Sequence, residues 1–447
     1  MNQWKALVAL LVVALLSACG QPQNQTTASP AAVPTSPNAA VDTSPAPSSI
    51  SSSAATTLTD VANEEITTAP ETVTVQPDAT AGAADPYFND TDKGTATSGS
   101  NTAMGTATGE FNCGDKSKLG TTLALFTWAD YWPVEDDNNL LKEFEAACGV
   151  QVTLDTFESN EVLAAKLRAG NAGYDIVVPS DYMVDILIRE NRLLKLDKSL
   201  IPNSANLDPQ QMGLYYDPKN EYSLPYQYGM TGIAYNTKSV TPAPTSWAAL
   251  FDPAKLAPYK NKVSMLDDAR ESIGAALKFK GFSYNATDAA QLAQAKELLE
   301  AQKCDLSRYD SESVSQGLSS GEVVMAHSWD GAAALARSEN ADIAWIVPQE
   351  GGVLWQDNLA VPADAPDPYT AQVFINNVLD GKIGARITDF TYYLTPNKAA
   401  APLVSEEVRN LQYYPDEELR KRLEYIERKG DPGLYDDIWT EIQAKQC

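Results

Sequence analysis

Hydrophobic and polar positions alternate between two spacings along the middle of the chain. Short apolar, β-branched runs, typical of buried strands, are followed by stretches with one apolar face at helical spacing. Three such pairs come first: 121–128 with 138–148, 150–157 with 160–170, and 174–180 with 181–191. Ser159 or Asn160 can cap the second helix, and Gly170 can end it. Strands that are apolar throughout and separated by amphipathic helices predict a parallel sheet covered on both faces.

A second series of strands and helices follows the first. Its strand-like runs are 229–236, 262–268, 323–329, 343–348 and 353–362, and helical patterns follow the second and third of them. Another helix-rich stretch ends the chain. The two series predict an α/β fold with two lobes.

The N-terminus has the pattern of an export signal. Lys5 is followed by a short apolar core, residues 6–16, and then by Leu16-Ser17-Ala18-Cys19. This arrangement is similar to a bacterial lipoprotein signal, in which the peptide is cut before the cysteine and that cysteine is acylated. A transmembrane helix is the alternative, but the apolar core is too short for a bilayer of about 30 Å. We therefore expect a signal peptide at 1–18, lipidation at Cys19, and an exported protein anchored at the membrane, facing the periplasm or cell exterior.

Residues 19–112 are rich in Ser, Thr, Ala and Pro and contain few large apolar residues. Such a composition cannot bury enough surface to offset the entropy lost on ordering. It predicts a disordered tether. A flexible coil of this length would span roughly 50 Å, so the folded part would stand away from the membrane.

The charge of the chain is strongly negative. With 33 basic and 59 acidic residues the formal net charge is −26, and the folded part carries 31 basic and 49 acidic residues, a net −18. Such a field repels nucleic acid, which we exclude as a partner, and attracts cations, although acidity alone also serves solubility.

Beyond Cys19 the chain has four cysteines, for which three pairings are possible. In an exported protein an even number predicts disulfides. Cys113 precedes the first strand and Cys148 ends the helix that returns beside it, so we predict the pairs Cys113–Cys148 and Cys304–Cys447. The single histidine, His327, and the absence of HxxxH and CxxC spacings argue against a metal site, and we expect no cofactor.

Aromatic and acidic residues recur where the predicted strands end, which is where open α/β sheets bind ligands. These residues are Trp128, Asp130, Tyr131, Ser180, Tyr182, Asp268, Glu271, Trp329, Asp330, Trp355 and Asp357. Arg270, between Asp268 and Glu271, is the only Lys or Arg that stands with them. Each has an ordinary structural explanation. Asp268 with Glu271 suits a helix cap, Asp330 another cap, and the tryptophans suit the core.

Their joint placement favours a binding site for an elongated polycation. Aromatic rings cover methylene groups and attract ammonium ions, each contact being worth about 2 kcal/mol when desolvated. Carboxylates replace the hydration of the ammonium ions through charge-assisted hydrogen bonds.

From about Thr121 to Trp439 the chain resembles the periplasmic spermidine/putrescine-binding proteins of ABC transporters, which have the type II periplasmic binding protein fold. The resemblance rests on FTWADYW, TFESNEVLAAKL, YDIVVPSDYMVD, LDDARE, EGGVLWQDNLAVP and LTPNKAA. It implies two lobes, 113–231 with 357–401 and 235–355 with 402–447, and a ligand cleft between them. It also implies a monomeric receptor, not an enzyme, that delivers its ligand to a permease.

The resemblance assigns roles to particular residues. It implies an aromatic box of Trp128, Tyr131, Trp329, Trp355 and Tyr393, acidic ligands at Asp130, Asp268, Glu271 and Asp357, and hydrogen bonding from Ser180 and Tyr182. Where spermidine binders often have Thr-Glu after the first Trp, this chain has Ala129-Asp130, and a Gln near the C-terminus of some members has no clear counterpart. We expect spermidine to be preferred over putrescine, with both bound.

Two other functions are compatible with the same residues. One is a receptor of this fold for another cationic or neutral solute. The other is a glycan hydrolase that uses paired carboxylates, since aromatic residues beside acids also bind sugars. The carboxylates outnumber the two that such a hydrolase needs, which favours a receptor.

Overall fold

A computed structural model describes residues 111–135, 138–431 and 433–447. The expected signal peptide, Cys19 and nearly all of the expected tether lie outside these residues. Within the described part of the chain, no helix combines the length and the apolar character needed to cross a membrane.

Twelve strands lie in the described residues. They are β1 (Thr122–Thr127), β2 (Val134–Glu135), β3 (Asn138–Asn139), β4 (Gln151–Thr156), β5 (Ile176–Val177), β6 (Ser223–Asn236), β7 (Val263–Met265), β8 (Arg308–Tyr309), β9 (Met325–Trp329), β10 (Ile343–Ile346), β11 (Gly352–Ala360) and β12 (Leu423–Glu424). Each of the apolar runs singled out in the sequence contains a strand.

Fourteen α-helices lie in the same residues, together with short 3₁₀ turns. They are α1 (Leu140–Cys148), α2 (Asn160–Ala169), α3 (Asp181–Arg189), α4 (Ala248–Phe251), α5 (Pro253–Leu256), α6 (Ala269–Phe279), α7 (Ala289–Gln302), α8 (Val314–Ser320), α9 (Asp330–Glu339), α10 (Pro368–Val378), α11 (Gly381–Thr391), α12 (Glu406–Leu411), α13 (Glu417–Arg420) and α14 (Gly433–Ala444).

Helix ends follow the local signals. The Ser159 side chain accepts a hydrogen bond from the backbone N–H of Val162 (3.3 Å), so Ser159 rather than Asn160 caps α2. Gly170 follows the last turn of α2 with φ +74°, which a side chain would disfavour. Gly149 ends α1 in the left-handed helical conformation, with φ +75° and ψ +25°.

The three strands of the first series pair in parallel, as predicted, but the sheet as a whole is mixed. Ten strands follow the order β4-β1-β5-β11-β6-β9-β7-β8, with β10 on β6 and β12 on β11. The pairs β1–β4, β1–β5, β7–β8 and β7–β9 are parallel. Strands β6 and β11, however, are antiparallel to each other, and β6 is antiparallel to β9 and β10. Every residue of β11 and all of β6 except Asn236 are buried, so the two strands are covered on both faces, and the sequence pattern could not distinguish their direction.

Strand β6 passes from one strand series to the other. Its first part, Ser223 to Met230, pairs with β11, and Thr231 to Tyr235 pair with β9. Buried apolar side chains accordingly form two large clusters. One is built around Leu125, Ile176 and Phe374, and the other around Met265 and Ile273. The fold is thus a two-lobed α/β type; the residue boundaries of the lobes stay a prediction.

Disulfides join Cys113 to Cys148 and Cys304 to Cys447, the two pairs expected from the sequence. Near the first pair, Phe111 and Asn112, which the sequence places at the end of the tether, already contact the folded part. The Phe111 ring lies 5.7 Å from that of Phe144, and the Asn112 backbone N–H donates to Asn377 Oδ1 (2.7 Å).

Candidate binding cleft

One cleft brings together all eleven residues that the sequence analysis singled out as ligand contacts. They are Trp128, Asp130, Tyr131, Ser180, Tyr182, Asp268, Glu271, Trp329, Trp355, Asp357 and Tyr393. The described residues that line this cleft include no Lys or Arg. The cleft is therefore lined mainly by aromatic rings and carboxyl groups.

The turn after β1 supplies the first wall. Trp128 Nε1 donates to the carbonyl of Val178 (3.0 Å), which fixes the indole against the turn after β5. Asp130 adopts φ +53°, a left-handed conformation that Asp tolerates better than most residues. Asp130 is exposed at the mouth of the cleft, and the partial loss of hydration there raises its pKa above the ordinary value.

Asp357 and Trp355 both lie inside strand β11. This placement corrects the expectation from the sequence, which put them at a strand end. Strand β11 continues through the cleft, and its register shifts between Asp357 and Asn358. Ser180 Oγ donates to Asp357 Oδ1 (2.6 Å), and Tyr131 Oη donates to Asp357 Oδ2. Burial raises the pKa of Asp357 to about 6, although these two hydrogen bonds oppose the shift.

Asn160 holds Ser180 in place for this contact. Its Nδ2 donates to Ser180 Oγ (3.0 Å), and its Oδ1 accepts from the Ser180 backbone N–H (3.0 Å). Because the Ser180 hydroxyl accepts from Asn160, its own proton is available to Asp357. Asn160, the first residue of α2, therefore orients the serine that supports the carboxylate.

Asp268 and Glu271 form both the helix cap and part of the cleft. Asp268 Oδ1 accepts from the Glu271 backbone N–H (2.9 Å) at the start of α6. Glu271 Oε1 accepts from Thr231 Oγ1 (2.9 Å) and Trp329 Nε1 (3.2 Å), whereas Oε2 is buried without a hydrogen-bond partner among the described residues. Burial raises the pKa of each carboxyl to about 7, and Glu271 adds to the shift of Asp268.

The aromatic rings meet edge to face around the carboxyl groups. Ring centroids of Trp128 and Trp329 are 5.8 Å apart, those of Tyr131 and Tyr393 5.5 Å, and those of Trp355 and Tyr393 5.2 Å. Such contacts stabilise the rings in fixed positions before any ligand binds. The faces that remain free can cover an alkyl chain or attract a cation.

Arg270 turns away from the cleft, as its position next to Glu271 predicts. Its guanidinium carbon lies 5.4 Å from the Tyr182 ring centre and 4.2 Å from that of Tyr435. Its Nη2 donates to Asn285 Oδ1 (3.1 Å). The positive charge is thus held behind Tyr182 and does not line the cleft.

Two residues considered in the sequence analysis do not line the cleft. Asp330 is the first residue of α9, and Trp329 occupies the cap position, so the expected cap at Asp330 was wrong. Burial raises the pKa of Asp330 to about 8. His327 is fully buried 5.3 Å from the Trp247 ring, and burial lowers its pKa to about 3.

The structure adds cleft residues that the sequence analysis missed. Among them are Phe157, Asn160, Asp181 and Glu312. Asp181 directly follows Ser180 at a strand end, and that position could have identified it. Glu312 lies between β8 and α8, in a stretch with no periodic signal, and only the fold brings it to the cleft.

The fold and the cleft are those of a solute receptor, and the chain belongs to the family of bacterial extracellular solute-binding proteins, whose pattern matches residues 139–413. Among its relatives is the spermidine/putrescine-binding periplasmic protein of Salmonella typhimurium. The two are 36% identical over 327 residues, which cover 72% of this chain and 92% of that protein.

Solved structures agree with this family. A spermidine/putrescine ABC transporter structure from Listeria monocytogenes is 33% identical, with a TM-score of 0.68, over 73% of this chain and 99% of that chain. A lipoprotein of Treponema pallidum is 31% identical, with a TM-score of 0.60, over 72% of this chain and 98% of that chain. The relatives are extracytoplasmic solute receptors and not enzymes.

Proposed function

We propose that this protein is an extracytoplasmic receptor that binds a polyamine, spermidine or putrescine, and delivers it to an ABC-type import permease. The observation that carries the proposal is the composition of the cleft, in which buried Asp268, Glu271 and Asp357 stand among aromatic rings, with no Lys or Arg among the described residues of the lining. A site with this excess of negative charge requires either protons or a cationic ligand.

A polyamine can interact with both the carboxyl groups and the aromatic rings of the lining. Each ammonium group offers donors to carboxylate oxygens such as Glu271 Oε2, which has no partner among the described residues. The methylene chain between the ammonium groups packs against the rings of Trp329, Trp355 and Tyr393. As the cation binds, it lowers the raised pKa values of the carboxyl groups, which then ionise and hold it. Closure of the two lobes would remove the remaining water.

We further propose that the protein is exported and then anchored to the membrane by a lipid. Cys19 carries the lipid, and residues 19–110 form the tether between the membrane and the receptor. A relative of similar fold is described as a lipoprotein, which supports this part of the proposal. The receptor acts as a monomer and takes no cofactor. It does not bind nucleic acid, because its negative net charge repels the phosphate backbone.

Calorimetric titration of the purified protein tests this function. Spermidine and putrescine should bind, whereas a panel of amino acids and neutral oligosaccharides should give no binding heat. If another solute binds tightly and neither polyamine binds, the proposed ligand is wrong but the protein is still a solute receptor. Release of reducing ends from an oligosaccharide would support the glycan hydrolase instead.

A further inference from the structure

Asp181 is a buried acidic residue that lines the cleft but has not been assigned a role in ligand binding above. It is the first residue of α3, directly after Ser180, and only 1% of its surface is exposed. Its Oδ1 accepts from the backbone N–H of Tyr182 (2.6 Å). Its Oδ2 is buried and has no side-chain hydrogen-bond partner in the described part of the chain.

The groups around Asp181 leave its charge uncompensated. The acids that interact with it are Asp357 and Glu271, and the other titratable neighbours are the phenols of Tyr215, Tyr216 and Tyr425. Burial raises the pKa of Asp181 well above its ordinary value, and the two acids raise it further, against hydrogen bonds from the backbone of Tyr182 and Gln356. A buried carboxyl beside two other acids is costly to ionise unless a cation reaches it, even where backbone N–H groups donate to it.

We propose that Asp181 is a further ligand-binding carboxylate, and that it favours polyamines with three or more ammonium groups over diamines. This inference rests on the proposed function. With Asp181 the cleft holds four buried carboxyl groups, the others being Asp268, Glu271 and Asp357, and Asp130 stands at its mouth. A diamine can pair with only part of this set, and each carboxylate left unpaired in a buried site weakens binding. A triamine pairs with more of it.

A structural role is the alternative explanation for Asp181. An acid in the first turn of a helix interacts favourably with the helix N-terminus, and Asp181 Oδ1 makes such a contact. Asp330 provides the comparison, because it is also the first residue of a helix. It is 2% exposed, and its Oδ1 accepts from the next backbone N–H, that of Gly331 (2.9 Å). Asp330 does not line the cleft, so the two positions differ in access to a ligand.

The test compares Asp181→Asn and Asp330→Asn by titration with spermidine and putrescine. Asp181→Asn should weaken spermidine binding by about tenfold or more, the usual effect of removing one partner of a buried charge pair. It should change putrescine binding much less, so that the ratio of the two affinities shifts toward putrescine. Asp330→Asn should leave the ratio as it is in the parent. Thermal melts verify that each variant is folded.

The number of protons exchanged on binding gives a second measurement. Titrations in buffers of different ionisation enthalpy should show that the parent releases more protons on binding spermidine than Asp181→Asn does, because ligand binding would ionise this carboxyl. If Asp181→Asn does not fold, Asp181→Ser removes the same charge and keeps a short polar side chain at the helix start.

Two results would overturn the inference: a folded Asp181 variant with an unchanged affinity ratio, or the same shift in Asp330→Asn. A parent protein that binds neither amine would instead reject the proposed function. The two failures are therefore distinguishable.

Discussion

Ser180 Oγ donates a 2.6 Å hydrogen bond to Asp357 Oδ1, which joins the turn before α3 to the irregular point of β11. The other oxygen of Asp357 accepts from Tyr131, so residues from three separate segments meet at one carboxyl group. Two neutral donors hold this group in place without cancelling its charge. The carboxylate is therefore preorganised for a cation and retains its negative charge for it.

Replacing Asp357 with Asn should weaken spermidine binding by on the order of 2–5 kcal/mol, because an ammonium group would be buried without its anion. Isothermal titration of the parent and Asp357→Asn measures the difference. Asp342→Asn is the matched control, since it removes one acid that pairs with Lys238 (2.7 Å) and does not line the cleft. The control should bind spermidine as the parent does. Parent-like affinity in Asp357→Asn would exclude Asp357 from the site.

The raised pKa values predict how stability depends on pH. Burial raises the pKa of Asp268 and of Glu271 to about 7 and that of Asp357 to about 6, against ordinary pKa values of 3.8, 4.5 and 3.8. Between these values the folded protein keeps protons that the unfolded chain has lost. Stability falls with rising pH wherever the folded state binds more protons than the unfolded chain. These three groups should therefore lower the free energy of unfolding as the pH rises from about 4 to about 7.

Thermal melts of the ligand-free protein should therefore show a midpoint that decreases over the upper part of this range. Spermidine should raise the midpoint more at higher pH, because the ionised carboxylates bind it better. Glu271→Gln should flatten the pH dependence, and Asp342→Asn should not. A ligand effect that shrinks as the pH rises would contradict the involvement of these acids.

Sequence periodicity predicted most of the elements but not the direction of all strands. The runs at 121–128 and 150–157 became parallel β1 and β4, as expected. The run at 353–362 became β11, which is antiparallel to β6. Strand direction depends on which elements pair across the sheet, and an apolar run carries no information about its partner when both faces are buried.

The cleft could be predicted to the extent that its residues stand at strand ends or match a family motif. Asp268 and Glu271 carry a local signal, the helix cap, and the structure places this cap in the cleft. Glu312 carries no such signal, because a loop brings it there. The support that Asn160 gives to Ser180 also required coordinates, since the two residues are 20 positions apart and interact only through folding.

The two disulfides should differ in their effect on stability. Cys304 and Cys447 are 143 residues apart, and Cys113 and Cys148 are 35 apart. In the chain-entropy description the longer loop stabilises by about 5 kcal/mol and the shorter by about 4 kcal/mol. Replacing both cysteines of a pair by Ala, followed by urea unfolding, should give the larger loss for Cys304 and Cys447. Peptide mapping that found free thiols or crossed pairs in the parent would refute the pairing.

Spermidine should bind more tightly than putrescine, with both ligands bound. Four acids, Asp130, Asp268, Glu271 and Asp357, suit three ammonium groups better than two, because a diamine leaves more negative charge unpaired in the cleft. The N-terminus of α6 partly compensates Asp268 through the Glu271 backbone N–H (2.9 Å), which moderates the difference. We expect about tenfold, the effect of 1.4 kcal/mol. Competition titration measures the preference, and putrescine that displaced spermidine at equal concentration would reverse it while leaving the receptor assignment intact.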